Sequence, residues 1–148
     1  MRPGIEIRPI ELPIEGFDAL VAEARDEHLA FLDRMKAEWH SGKGRFDQPG
    51  EILLGAFDGT KLLGVCGLNI DPYLDNPRVG RLRHLFVAKA GRSKGVGSAL
   101  VRAVLAHAKG HFAIVRLRTD ADVRGAFYAS FGFRPIEDEN ATHQLRFG

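Results

Sequence analysis

The sequence is poor in cysteine, has no long apolar run and carries almost no excess charge. Its single cysteine, Cys66, excludes an intramolecular disulfide bond and fits a reducing compartment. Because Cys66 lies in the apolar run LLGVCGLNI, we expect a buried thiol on a strand. No stretch approaches the roughly 20 apolar residues that cross a membrane, and the N-terminus lacks the apolar core of a signal peptide. We therefore expect a cytoplasmic protein with no membrane partner.

The charge balance also limits the classes of partner. A total of 21 basic and 19 acidic residues leaves a net charge of +2, which does not indicate a nucleic-acid partner and is compatible with an anionic small molecule.

We expect no metal site. His107 and His111 are four residues apart, but Gly110 is predicted to end the helix between them, and no third ligand is spaced to help.

The chain shows neither an internal repeat nor a linker, which predicts one domain over residues 1–148. Apolar periodicity and turn residues predict an ordered series of elements: a strand, two helices, three strands, a helix, a strand, a helix and two strands. This order favours a mixed sheet with helices on both faces. The predicted strands are 5–10, 52–57, 62–70, 79–88, 113–120, 133–138 and 142–147, and the predicted helices lie within 15–40, 96–110 and 121–131.

The segment GRSKGVGSAL, residues 91–100, places glycines and basic residues between a predicted strand and a predicted helix. Free amides at a helix N-terminus and the helix dipole form a natural phosphate site, and glycines let an anion approach the backbone. Two known phosphate motifs do not fit, because Val96 and Gly97 stand where a P-loop needs Gly and Lys, and Leu100 replaces the last glycine of a dinucleotide fingerprint. A glycine turn that only caps the helix is the alternative.

Two motifs together resemble those of the GCN5-related N-acetyltransferase (GNAT) family. In LFVAKAGRSKGVGSALV, the pattern Arg92-x-x-Gly95-x-Gly97 follows a strand and opens a helix, as in the family's central motif. In FYASFGF, an aromatic-tyrosine pair that includes Tyr128 precedes Gly-Phe at the family's spacing. The resemblance implies an α+β fold with a mixed, mostly antiparallel sheet of about six to seven strands and helices on both faces.

The resemblance also implies an activity, a co-substrate and a set of site residues. The expected reaction is transfer of an acetyl group from acetyl-coenzyme A (acetyl-CoA) to a primary amine of a small molecule or peptide, by direct attack in a ternary complex. Tyr128 is the expected acid for the leaving thiolate, and the Val87 amide is the expected oxyanion donor. The residues expected to bind acetyl-CoA are Leu85, Phe86 and Val87 along the pantetheine arm, and Arg92, Ser93, Lys94, Gly95, Val96, Gly97 and Ser98 around the pyrophosphate.

The chain departs from the family pattern at two places. Ala121 stands where many members have an asparagine seven residues before the tyrosine. Arg81 and Arg83 stand where members often have a Glu or His as general base, and arginine cannot act as a base. His84 has the opposite strand parity from Arg83, so we expect it to point to the other face of the sheet.

Two interpretations of Arg81 and Arg83 remain open at this point. Either they bind an anionic group of the acceptor, with a base such as Glu27 from the helical region, or they are solvated charges on the sheet. Glu27, His28 and Trp39 lie in the segment that usually walls the acceptor site in this family.

Two other functions are compatible with the same loop. A non-catalytic acyl-coenzyme A-binding sensor or interaction module is the main alternative, and a binder of nucleotide phosphates is another. Domains of this family are commonly dimeric, so the resemblance also allows a homodimer.

Overall fold

The computed structural model describes residues 4–148, which form a seven-stranded sheet in the order β1-β2-β3-β4-β5-β7-β6. All neighbouring strands are antiparallel except β4 and β5, which are parallel. The prediction of a mixed, mostly antiparallel sheet is therefore confirmed. The strands are β1 (Ile5–Pro9), β2 (Ile52–Asp58), β3 (Lys61–Ile70), β4 (Val79–Val87), β5 (Ile114–Leu117), β6 (Arg134–Pro135) and β7 (His143–Arg146).

Four α-helices cover the two faces of the sheet. They are α1 (Phe17–Asp26), α2 (Phe31–Ser41), α3 (Val96–Lys109) and α4 (Ala121–Ala129), and a 3-10 turn (Lys89–Gly91) precedes α3. The buried side chains of α1 and α2 belong to one apolar cluster, and those of α3 and α4 belong to another. The spacing of apolar residues in the sequence, such as Phe17, Leu20 and Ala24 in α1, places one stripe of each helix on the sheet. Helices on both faces are confirmed.

A β-bulge interrupts the pairing of β3 with β4. Val65 pairs with Phe86, but Gly67 pairs with Arg83, so two residues of β4 lie opposite one residue of β3. His84 is in the bulge and has a φ of 61°, which is unusual for a side chain other than glycine. The bulge breaks the alternation of side chains along β4. The ring centroid of His84 lies 6.2 Å from that of Phe46, and a Cβ on Gly67, the partner of Arg83, would meet the same ring, so His84 and Arg83 lie on one face of the sheet. The expectation that His84 points to the other face is wrong.

The parallel pairing of β4 with β5 is short. It joins Val79, Gly80 and Arg81 to the first three residues of β5, whereas β4 continues to Val87. The two strands therefore diverge, and the second half of β4 has no strand on its β5 side. The resulting cleft separates the end of β4 from α4.

Buried charges close the narrow end of this cleft. Asp71, with a fully buried side chain, lies 3.5 Å from Arg81 (Oδ2 to Nη1) and 3.7 Å from Arg116 (Oδ2 to Nε). Arg116 also contacts Asp138, with 2.9 Å between Nη2 and Oδ1, and Arg81 Nη2 donates to the Asn140 carbonyl at 2.7 Å. A buried charge is costly unless it has a partner. These contacts supply partners for the two arginines and connect β4 and β5 to the segment before β7.

Candidate active site

A cavity of about 510 Å³ lies between the end of β4, the glycine loop and α4. We call it cavity 1. Every residue predicted to contact acetyl-CoA lines it except Lys94. α4 contributes Val123, Arg124 and Phe127 to the opposite wall. The strand, loop and helix that the sequence places in succession thus surround one space.

The glycine loop presents free backbone amides to cavity 1. Gly95 has a φ of 76° and begins α3 without a side-chain cap, and the Ala99 amide is the first in α3 to donate to a preceding carbonyl, that of Gly95 at 3.0 Å. The amides of Val96, Gly97 and Ser98 therefore lack an intrahelical acceptor, as in the first turn of any helix. They line the cavity at the positive end of the helix dipole, which suits an anionic group.

Gly97 keeps cavity 1 open between β4 and α4. A Cβ at this position would lie 3.6 Å from Val87 Cγ2 and 3.9 Å from Phe127 Cζ, which is ordinary contact. A longer side chain would have to extend into the cavity. The absence of a side chain at residue 97 therefore leaves room for a ligand.

Arg92 is held at the rim of cavity 1 by two contacts. Its Nη2 donates to Glu27 Oε2 at 2.6 Å, and its Nε donates to the Val87 carbonyl at 3.0 Å. Glu27 immediately follows α1 and lines cavity 1. The carboxylate of Glu27 is thus paired with a guanidinium beside the glycine loop, so it is not placed to act as the acceptor's base.

The edge of β4 offers a further donor. The Ala88 amide donates to the Leu63 carbonyl of β3 at 2.7 Å. Successive amides of an extended strand point to opposite edges, so the Val87 amide points away from β3, toward the cleft. Val87 lines cavity 1.

A second cavity, of about 320 Å³, continues from the first along the cleft. We call it cavity 2. Leu85 and Arg124 line both cavities, so the two spaces meet at these residues. Tyr128 of α4 lines cavity 2 and is 5% exposed. Its ring packs edge-on against Phe127 and Phe133, with centroid separations of 5.1 and 5.8 Å.

Burial determines the protonation of two groups in cavity 2. It raises the pKa of the Tyr128 hydroxyl above its ordinary value, so the phenol stays protonated at neutral pH. Burial, with the nearby charges of Arg83 and Arg34, lowers the pKa of His84 to about 3. The imidazole of His84 is therefore neutral at physiological pH. Strand parity did not predict that His84 lines this cavity. A β-bulge in the strand before the glycine loop is the feature from which its position could have been predicted.

Arg83 and Arg81 both line cavity 2, but they differ in environment. Arg83 is partly exposed and forms no ion pair with any residue in the described range 4–148. Arg81 is 7% exposed and pairs with Asp71. Burial lowers the pKa of Arg81, while Asp71 opposes this shift. Arg81 is therefore not a solvated surface charge, and the carboxylate that it binds belongs to the protein.

Trp39, which was predicted to wall the acceptor site, and Asp120, which precedes Ala121, both lie away from cavity 2. Trp39 packs beside Phe46, with ring centroids 6.4 Å apart, in the apolar cluster under α1 and α2. It lines neither cavity 1 nor cavity 2. Asp120, next to the atypical Ala121, caps α4 by accepting the Asp122 amide at 3.1 Å. Neither Trp39 nor Asp120 is therefore placed to contact a ligand in these cavities.

The histidines predicted not to bind a metal are engaged in other contacts. His107 and His111 stack with ring centroids 4.5 Å apart. His107 Nε2 lies 3.1 Å from the Gly50 carbonyl oxygen, and His111 Nδ1 lies 2.9 Å from the His107 carbonyl oxygen. Across residues 4–148, no group of three His, Cys, Asp or Glu side chains is arranged to hold a metal ion. Within the same range, no helix has the length and apolar character to span a membrane.

Comparison with known families gives one match over most of the chain. Residues 15–133 match the model of the acetyltransferase (GNAT) family. No curated protein sequence matches the chain.

Several solved structures share the fold. A candidate acetyltransferase from Exiguobacterium sp. 255-15 has a TM-score of 0.85 at 24% identity, with 96% of this chain and 93% of that chain covered. A GNAT acetyltransferase from Brucella melitensis, solved with acetyl-CoA, has a TM-score of 0.69 at 20% identity and coverages of 97% and 88%. The PaiA N-acetyltransferase from Thermoplasma acidophilum, solved with coenzyme A, has a TM-score of 0.67 at 20% identity and coverages of 97% and 99%. At these identities, the likeness shows a common fold.

Proposed function

Because the chain belongs to the acetyltransferase (GNAT) family, we propose that it transfers an acetyl group from acetyl-CoA to a primary amine of a small molecule or peptide. One observation carries this proposal: cavity 1, which is lined by free amides, adjoins cavity 2, which is lined by Tyr128. The two cavities share Leu85 and Arg124 as lining residues. Two adjoining cavities suit two substrates that must meet in a ternary complex. Two relatives of the same fold were solved with coenzyme A or acetyl-CoA.

In this proposal, cavity 1 binds acetyl-CoA. The amides of Val96, Gly97 and Ser98 hold the pyrophosphate, since oriented N–H groups and the helix dipole favour an anion. The pantetheine arm runs beside the unpaired edge of β4, from Phe86 to Leu85. The acetyl group then reaches the junction of the two cavities.

The reaction is direct attack of the amine on the thioester. The amine nitrogen forms a bond to the acetyl carbon, the C–S bond breaks, and the sulfur leaves as a thiolate that takes a proton. The Val87 amide points into the cleft and stabilises the oxyanion as it forms. Tyr128 supplies the proton to the thiolate, because its raised pKa keeps the phenol protonated. The proton that the attacking nitrogen loses as the amide forms then restores the phenol of Tyr128.

The acceptor must lose a proton before or during attack. No Asp or Glu lines cavity 2 within the described chain, and Glu27 is held by Arg92 in cavity 1. With a pKa near 3, His84 is too weak a base to compete for an ammonium proton. We therefore propose that the amine reacts from its neutral form and that its proton passes to water.

The test combines binding and turnover. Calorimetry with acetyl-CoA measures occupation of cavity 1, and a thiol-release assay with a panel of amines measures transfer. Tyr128→Phe removes only a hydroxyl, so we expect kcat to fall by about a hundredfold or more, as is usual for loss of a general acid, with acetyl-CoA affinity unchanged. Binding without turnover of any amine would favour a non-catalytic coenzyme A sensor instead. Failure to bind acetyl-CoA would refute both functions.

A further inference from the structure

Cavity 2 is lined by arginines without any acidic neighbour in its wall. Five guanidinium groups and no Asp or Glu side chain of residues 4–148 line it. Like charges around one cavity repel one another, although water screens the repulsion of the exposed residues Arg34, Arg118 and Arg124. An anionic ligand would relieve it. The five residues are Arg34, Arg81, Arg83, Arg118 and Arg124.

Three of these guanidinium groups are available to a ligand. Arg81 is paired with Asp71, and Arg118 Nη1 lies 3.4 Å from the Glu139 carbonyl. Arg34, Arg83 and Arg124 form no ion pair with any residue of the described chain. Arg34 comes from α2, Arg83 from β4 and Arg124 from α4, so three separate elements direct positive charge to one space.

Cavity 2 has a reactive end and a distal end. At one end, Leu85 and Arg124 join it to cavity 1. At the other end, Tyr73, Arg83 and His84 also line a third cavity. Glu38 and Glu51 line that third cavity too, but neither forms an ion pair with Arg83. Arg83 is therefore at the end farther from the acetyl group.

Arg34 lies at the same distal end as Arg83. Arg34, Arg83 and His84 all line cavity 2, and Phe31, which is on the same helix as Arg34, lies with its ring centroid 6.1 Å from that of His84. Two guanidinium groups and one neutral imidazole thus share this part of the cavity. A neutral imidazole retains one donor and one acceptor for a polar group.

We propose that the acceptor is an amine that also carries a carboxylate or phosphate group, bound by Arg83 and Arg34. This inference rests on the proposed function. Arginine pairs with carboxylate and phosphate through two parallel N–H donors, which fixes orientation as well as affinity. With its anionic group at the distal end, the substrate directs its amine toward Tyr128 and the junction with cavity 1. A cavity of about 320 Å³ suits a molecule of the size of an amino acid or a small phosphorylated amine.

The experiment compares matched pairs of amines that differ only in the anionic group. One pair is a free α-amino acid and its C-terminal amide, and the other is O-phosphoethanolamine and ethanolamine. We expect kcat/KM to be about tenfold to a hundredfold higher for the anionic member of at least one pair, the effect of a hydrogen bond to a charged group. The pair with the larger ratio identifies the group as carboxylate or phosphate. The amine of an amino-acid amide is less basic than that of the acid, so its larger neutral fraction acts against this expectation.

Variants connect the preference to the two arginines. Arg83→Gln and Arg34→Gln should each lower kcat/KM for the anionic member by about tenfold, with little change for the neutral member. Arg83→Lys should restore part of the preference, since it keeps the positive charge but loses the two parallel N–H donors of the guanidinium. Arg134→Gln, at an exposed position on β6 that lines neither cavity, is the matched control. Arg34 is exposed on α2, so its variant tests the inference even if a change on β4 disturbs folding.

The outcomes separate this inference from the proposed function. Equal use of both members of every pair by the wild-type protein would overturn the inference alone. An equal loss for both members in Arg83→Gln and Arg34→Gln would do the same, because it indicates a structural role. Acetylation of no amine at all would overturn the proposed function and the inference with it.

Discussion

Replacement of Gly97 by tryptophan tests whether the glycine loop binds acetyl-CoA. The position tolerates a Cβ, which would lie 3.6 Å from the nearest atom of Val87, so the fold should accommodate the change. The indole must then extend into cavity 1 and cover the amides of the first turn of α3. If two charge-assisted hydrogen bonds of about 1.5–3 kcal/mol each are lost, the Kd rises by about a hundredfold to ten-thousandfold.

Isothermal calorimetry with acetyl-CoA measures the Kd, and thermal unfolding verifies that Gly97→Trp is folded. The matched control is Gly110→Trp at the other end of α3. Gly110 has a φ of −84°, and a Cβ there would lie 3.9 Å from the His107 carbonyl oxygen. We expect the control to bind acetyl-CoA as the wild type does. A folded Gly97→Trp with an unchanged Kd would refute the assignment of cavity 1 to the cofactor.

Three further predictions concern proton transfer and stability. We expect kcat/KM to rise with pH along the titration of the acceptor amine, because no carboxylate lines cavity 2, and Tyr128, with its raised pKa, stays protonated throughout. Profiles for two amines of different basicity check this, and one shared pKa for both would contradict it. Asp71→Asn should lower the free energy of unfolding by about 3–5 kcal/mol, because it leaves the buried guanidinium group of Arg81 without a counter-charge and Arg116 with Asp138 alone. Urea denaturation measures this against Asp18→Asn, which affects an exposed pair with Lys36 and should cost less than about 1 kcal/mol. Gly64→Ala should cost about 1–3 kcal/mol, since its Cβ would lie 2.9 Å from the carbonyl oxygen of Phe86. An unchanged urea midpoint would show that β3 and β4 can accommodate this Cβ without strain.

Local sequence signals were sufficient to predict most of the elements and the glycine loop. The periodic apolar residues of the helices and the turn residues Asp58 and Gly59 between β2 and β3 are short-range patterns. The structure has the helices and this turn at or near the expected residues. The glycine-loop motif at residues 92–97 and the FYASFGF motif occur at the separation typical of the family. From these two motifs we expected residues 92–98, β4 and α4 to lie around one site. Such features depend on residues that are close in the chain.

The features that sequence alone missed depend on distant residues. Strand parity assumes a regular ladder, and one extra residue in β4 changes the direction of His84. The state of Arg81 depends on Asp71, which belongs to the connection after β3 and pairs with Arg81 only in the folded sheet. The contact of Glu27 with Arg92 joins residues 65 positions apart, and no local pattern indicates it.

The divergence of β4 and β5 also affects how firmly the sheet holds together. Three residue pairs connect the two strands, and segments with few backbone hydrogen bonds open at the lowest free energy. The cleft between β4 and β5, which leaves space for a ligand, is therefore also the place where the ligand-free protein opens at the lowest free energy. A bound molecule that contacts Val87 of β4 on one side and Arg124 of α4 on the other would hold the two sides of the cleft together. Rigidity of the second half of the chain would then depend on occupancy, and the loaded protein would resist unfolding and proteolysis better than the empty one.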